Sequence, residues 1–183
     1  MIKVIGIAGS LRQRSYNAAL LRAAAELAPD GATIEIATIK GIPLYNGDLE
    51  LAEGIPAPVA ELKDKIAAAE GLLLVTPEYN NAIPGVFKNA IDWLSRPPTD
   101  IARVFADRPV AIMGASPGGF GTVLSQNAWL PILRTLGTRP WFGRRLLVSR
   151  AGKVFDDAGV LIDEQVRTDL RKFIHGYVEF VKA

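Results

Sequence analysis

The residues most open to a chemical reading stand near the start of the chain, Gly9-Ser10-Leu11-Arg12-Gln13-Arg14-Ser15-Tyr16-Asn17, between an apolar run over 2–8 and an alanine-rich stretch. Gly9 lets the chain turn with no Cβ in the way. Ser10, Ser15 and Asn17 are neutral donors, and Arg12 offers a guanidinium fork. A helix starting near Ser15 would aim its free N–H groups at the same spot, so the loop suits a phosphate monoester. The better-known phosphate motifs do not fit. Gly6 falls inside the strand, the last two glycines of a dinucleotide fingerprint are missing, and no Gly-Lys-Ser/Thr is present. The plainer alternative makes Ser15 an N-cap only and Arg12 a solvated cation.

Two further stretches have the composition of a ring-binding wall: Thr76-Pro77-Glu78-Tyr79-Asn80-Asn81-Ala82-Ile83-Pro84-Gly85 and Ser116-Pro117-Gly118-Gly119-Phe120-Gly121. Their prolines and glycines leave backbone amides exposed, while Tyr79 and Phe120 supply apolar flanks. An isoalloxazine has edge acceptors for such amides, and its hydride chemistry needs close stacking rather than a protein acid or base. No Ser-His-Asp or metal-ligating constellation is visible. His175, the only histidine, falls in the expected last helix, away from all three loops.

The elements that must position these loops follow from periodicity. Helices are expected over 16–28, 59–69, 86–94, 122–136 and 164–181, the last capped by Asp163. Strands are expected over 2–8, 33–39, 72–75, 110–115 and 139–142, with a short extended piece over 145–148. The continuous apolar run at 72–75 reads as a strand buried on both faces, and the alternating 33–39, with Glu35 outward, as an edge. Residues 41–58 read as a long loop, a lid or binding wall. Five β-α units imply a three-layer α/β sandwich, residues 1–183 forming one domain around a parallel sheet ordered 2-1-3-4-5. Its switch point lies between strands one and three, where flavodoxin-like folds bind FMN, and the three loops converge there.

Composition narrows the partners. Lys plus Arg is 21 against 19 for Asp plus Glu, a net +2 too small and dispersed for a nucleic-acid stripe. Cysteine is absent, which removes thiol catalysis and thiolate metal sites and agrees with a reducing cytoplasm. No apolar run approaches the roughly 18 residues of a membrane span, so no membrane insertion is expected.

Over nearly its whole length the chain resembles the NADPH-dependent FMN reductase family of flavodoxin-like proteins, in the branch with chromate and quinone reductases. The resemblance rests on Gly9-Ser10-Leu11-Arg12 with Ser15 and Asn17, on Pro77-Glu78-Tyr79-Asn80, on Ile83-Pro84-Gly85 with Lys88-Asn89-Ala90-Ile91-Asp92-Trp93, and on Ser116 to Gly121. It implies that Ser10, Arg12, Ser15 and Asn17, with Tyr16 beside them, hold the FMN phosphate. Pro77, Glu78, Tyr79 and Asn80 would lie along the ring, and Ser116, Gly118 and Gly119 along its other side. It also implies NADPH or NADH as cosubstrate and a small-molecule acceptor such as a quinone, free flavin, azo dye or metal oxyanion. A homodimer or dimer of dimers is expected, with the third helix at the interface because Val86, Phe87, Ala90, Ile91, Trp93 and Leu94 make it apolar around much of its circumference. The competing arrangement covers that helix with its own sheet and the 41–58 segment. The rival function is a flavodoxin-type electron carrier without a nicotinamide site; such carriers are usually strongly acidic. A flavin-free nucleotide-binding domain is a third reading. Lys88 and Asp92 read as a surface pair one helical turn apart, and Trp93 and Trp129 as core or interface residues. Residues 138–151 fit a partner surface or substrate mouth.

Overall fold

In the computed structural model, which describes residues 1–183, β1 (Ile2–Ala8) stands between β2 (Ala32–Ala37) and β3 (Gly71–Val75), and β3 pairs in turn with β4 (Pro109–Ala115). All ladders are parallel, in the expected order β2-β1-β3-β4-β5, with β5 at Arg139–Pro140. Every residue of β3 is buried, as its unbroken apolar run requires of a strand with neighbours on both edges and helices on both faces. One apolar cluster, with Leu20 and Phe173, lies under α1 (Tyr16–Glu26) and α7 (Glu164–Lys182). The other, with Val59, Phe87 and Trp129, lies under α3 (Ala57–Ala67), α4 (Gly85–Leu94) and α6 (Val123–Thr135). Trp93 and Trp129 are both core residues, and Asp163 caps α7 by accepting from Val166 N–H at 2.9 Å.

Three expectations change. The 41–58 segment is not a bare loop, because Asn46 accepts from Asp48 N–H and starts α2 (Gly47–Glu53), a short helix with no buried residue. That segment straps α4. Trp93 Nε1 and Asn89 Nδ2 both donate to Pro43 O at 2.9 and 2.8 Å, and the Tyr45 ring meets Trp93 edge-on at 4.9 Å. Arg96 at 2.8 Å holds the Glu50 carboxyl of α2 below its ordinary range. Between the sheet and this strap Phe87, Ala90, Ile91, Trp93 and Leu94 are all buried within the chain, and only Val86, 37% exposed, faces outward. The apolar circumference of α4 therefore gives no reason to expect a partner there.

The second change concerns the fifth position of the sheet, which is split. β5 is only Arg139–Pro140, and the upper half of β4 pairs instead with β6 (Leu147–Val148). Arg139 and Trp141 N–H donate inward to Arg108 O and Val110 O, so the nitrogen of Pro140 faces the open edge, where no donor is needed. The third change is at β2, where alternation sets Ile34 and Ile36 on one face, yet Ile34 is buried and Ile36 is 47% exposed. Glu35, expected outward, is held by Lys3 at 2.6 Å and Lys65 at 2.9 Å. Residues 98–104, left unassigned by periodicity, form a helical turn and the one-turn α5 (Ile101–Val104).

Candidate functional site

Parallel strands end at one edge of the sheet, and there the loops after β1, β3 and β4 are tied together by backbone bonds. Gly9 N–H donates to Val75 O at 2.9 Å and Thr76 N–H to Met113 O at 2.8 Å. They enclose a crevice whose lining includes Ser10, Arg12, Ser15, Tyr16, Asn17, Pro77, Glu78, Tyr79 and Ser116, together with Ala115 and Pro117. Of the residues expected at the site, Asn80, Gly118 and Gly119 lie outside this lining, on the exposed outer arcs of their loops. His175 is exposed on α7.

The first loop keeps most of its donors free. Ser15 is the N-cap of α1 through an Ala18 N–H bond of 3.3 Å, yet capping uses only an oxygen lone pair and leaves its O–H to donate. The N–H groups of Tyr16 and Asn17 have no carbonyl one turn earlier to bond, and no acidic residue stands in the first turn to compete for an anion. Arg14 pairs with Asp157 at 2.9 Å, whereas Arg12 belongs to no ion pair of the chain and lines the crevice. Asn17 differs from expectation. It is 4% exposed, its Oδ1 accepts from Ala115 N–H at 2.9 Å and its Nδ2 donates to Ala115 O at 2.8 Å, so the amide sews α1 to the end of β4 and retains a single N–H. The need for glycine at position 9 is also steric rather than conformational: a Cβ there would fall 2.1 Å from Cδ1 of Phe87 on α4. The donor set that remains, two hydroxyls, helix-end N–H groups and one guanidinium, fits a terminal phosphate.

The second loop is more rigid than its composition suggests. Asn80 and Asn81 take φ of 51° and 62°, and Tyr79 and Ala82 exchange two backbone bonds of 3.1 Å around them, the geometry of a tight two-residue turn with both central residues left-handed. Glu78 does not point freely into solvent. Its Oε2 accepts from Leu124 N–H at 2.8 Å and Ser125 N–H at 3.0 Å, at the start of α6. Beneath it the buried Thr76 hydroxyl meets Ser125 Oγ at 2.8 Å and accepts from Trp129 Nε1 at 3.1 Å. In the third loop the Ser116 hydroxyl donates to Gly121 O at 2.6 Å, closing its own turn, and Phe120 is 85% exposed. Behind that turn Arg150 N–H donates to Gly118 O and Ala151 N–H to Ser116 O, so residues 138–151 buttress the third loop.

The family profile described as NADPH-dependent FMN reductase matches residues 2–152, which include all three loops. The chain belongs to the NADPH-dependent FMN reductase family. Among family relatives, an NAD(P)H-dependent FMN reductase of Pseudomonas aeruginosa is 47% identical over 166 residues, 91% of this chain and 88% of that one. A 2-hydroxy-1,4-benzoquinone reductase of Burkholderia sp is 35% identical over 181 residues, 99% and 97% of the two chains. The solved structure of FerB, a flavoenzyme NAD(P)H:(acceptor) oxidoreductase from Paracoccus denitrificans, superposes with a TM-score of 0.88 at 31% identity, covering 100% of this chain and 98% of that one. The family fold is thus the doubly wound parallel sheet described above.

Proposed function

We infer that the protein is an NAD(P)H-dependent, FMN-containing oxidoreductase that passes hydride from nicotinamide through flavin to a quinone, with free flavin, azo dyes and metal oxyanions such as chromate as further acceptors. The observation that carries this reading is the anion cradle at the start of α1, where unpaired Arg12 and free helix-end N–H groups face a crevice walled by two amide-rich loops. Bound FMN supplies the hydride-accepting and hydride-donating chemistry. The chain's part is to bind and orient. Arg12, Ser10, Ser15 and the N–H groups of Tyr16 and Asn17 hold the phosphate, and the amide of Asn17 fixes their distance from β4. The backbone of Pro77, Glu78 and Tyr79 would line one side of the ring and Ser116 the other, with Asn80, Gly118 and Gly119 on the outer arcs of the same two loops. Residues 1–183 act as one flavin-binding unit, and a cysteine-free chain with no helix long and apolar enough to cross a membrane suits work in the cytoplasm.

The purified protein is expected to be yellow and to bleach anaerobically on addition of NADPH or NADH with no other protein present. A flavodoxin-type carrier would stay yellow until a partner reductase was added. One ring face holds one planar guest at a time, so steady-state double-reciprocal plots against quinone should be parallel; intersecting lines would reject the exchange.

The assembly we propose is a two-fold dimer, extending to a dimer of dimers, that completes the wall over the crevice. Support now comes from the exposed Tyr79, Phe120 and Leu124 beside the crevice rather than from α4. Light scattering across micromolar concentrations is expected to give twice or four times the single-chain mass. A single-chain mass with full activity would exclude a shared site.

A further inference from the structure

The start of α6 has no cap of its own. Thr122, at the N-cap position, makes no side-chain bond to the first-turn N–H groups. A helix end left in that state exposes unsatisfied donors, and this one lies beside the crevice. The missing acceptor comes from 46 residues earlier in the chain, where Glu78 Oε2 takes both Leu124 N–H and Ser125 N–H. Each partner is held from a second side. Ser125 is also bonded through its hydroxyl to Thr76, and the residue following Glu78 begins the tight Tyr79–Ala82 turn. The loop after β3 and the helix after β4 are therefore locked at one spacing across the mouth of the crevice.

We propose that Glu78 is a positioning residue, which caps α6 from the neighbouring loop and so sets the gap in which the flavin ring is held. This rests on the functional reading above and deepens it, since it assigns Glu78 to orienting the wall through hydrogen bonds rather than to touching the ring with its carboxylate. The ring and the phosphate then depend on different residues. Loss of the cap alters ring affinity whether or not a phosphate is present.

The test titrates the full-length protein with riboflavin and with FMN, following quenching of flavin fluorescence and the visible spectrum of the bound ring. Glu78→Ala is expected to weaken riboflavin and FMN alike by about tenfold and to shift the bound-flavin spectrum, as two hydrogen bonds are lost. Glu78→Gln retains an amide oxygen that accepts both bonds, and is expected to stay within about threefold of the parent. Tyr177→Phe provides a purely structural control. The Tyr177 hydroxyl lies against Leu72 O and Pro109 O, at the opposite end of the sheet, and its loss should lower Tm without changing riboflavin affinity. If Glu78→Ala does not fold, Glu78→Asp, one methylene too short to reach α6, takes its place with the same expectation. Unchanged riboflavin affinity in the Ala or Asp variant overturns the proposal. So does a Gln variant as weak as either, because charge and not capping would then be at work. A parent protein that binds neither flavin would instead reject the functional reading.

Discussion

Replacing Gly114 by alanine is expected to lower Tm by about 6–12 °C and to weaken riboflavin and FMN together. An ideal Cβ at Gly114 would lie 2.2 Å from Thr76 O and 2.3 Å from Thr122 Oγ1. Neither atom is free to retreat. Thr76 is anchored through its N–H to Met113 O and through its hydroxyl to Ser125 and Trp129, and Thr122 Oγ1 accepts from Gln126 Nε2 at 3.1 Å. Overpacking a well-filled interior costs about 1–3 kcal/mol, and the upper end or beyond applies when the obstacle is backbone. At about 2–4 °C per kcal/mol for a chain of this size, about 3 kcal/mol gives the stated shift. The same wedge would part the loops after β3 and β4, which is why ring affinity should fall with stability. Gly85→Ala is the contrasting case. Nothing lies within 4 Å of a Cβ there, so in a helical position alanine should add about 0.4–1 kcal/mol. Thermal melts of both variants decide it, and a Gly114→Ala protein melting within about 2 °C of the parent would show that the contact relaxes cheaply.

The parts of the fold that were legible in the sequence are those decided locally. β1, β3 and β4 are short apolar runs that end in polar or glycine-rich loops, and a strand with neighbours on both edges has little choice but to be continuously apolar. The convergence of the three loops then follows from parallel pairing alone. What could not be read depends on partners far apart in sequence. Asn17 was legible as a donor but not as a stitch to Ala115, 98 residues away, and Glu78 not as the cap of a helix 46 residues on. The burial of α4 was hidden for the same reason, since an apolar helix face does not say whether its own chain or another covers it. The Asn80-Asn81 pair did carry a local signal. Two consecutive asparagines tolerate left-handed φ, and that marks the tight turn which stiffens the second loop. Asn46 similarly marks the start of α2 within a segment whose glycines and prolines suggest no helix.

The second large effect is at Arg12, and it separates phosphate from ring. The α1 end and the loop before it supply N–H groups and the Ser10 and Ser15 hydroxyls, all neutral, so the only full positive charge lining the crevice is the Arg12 guanidinium. Arg14 does not line it and is occupied by Asp157. A charge-assisted hydrogen bond is worth about 1.5–3 kcal/mol, so Arg12→Ala should weaken FMN by roughly tenfold to a hundredfold. Riboflavin has the same ring and ribityl chain but no phosphate, and its affinity should hardly respond. The loss should be screened: raising the salt should narrow the gap between parent and variant, because the interaction removed is between a partly solvated cation and a dianion. Arg12→Lys keeps the charge but not the planar fork, and should fall between the two. Equal weakening of riboflavin and FMN by Arg12→Ala would remove Arg12 from the phosphate site. The helix end and its hydroxyls would then have to hold the dianion without a counter-charge, through hydrogen bonds whose strength salt affects far less.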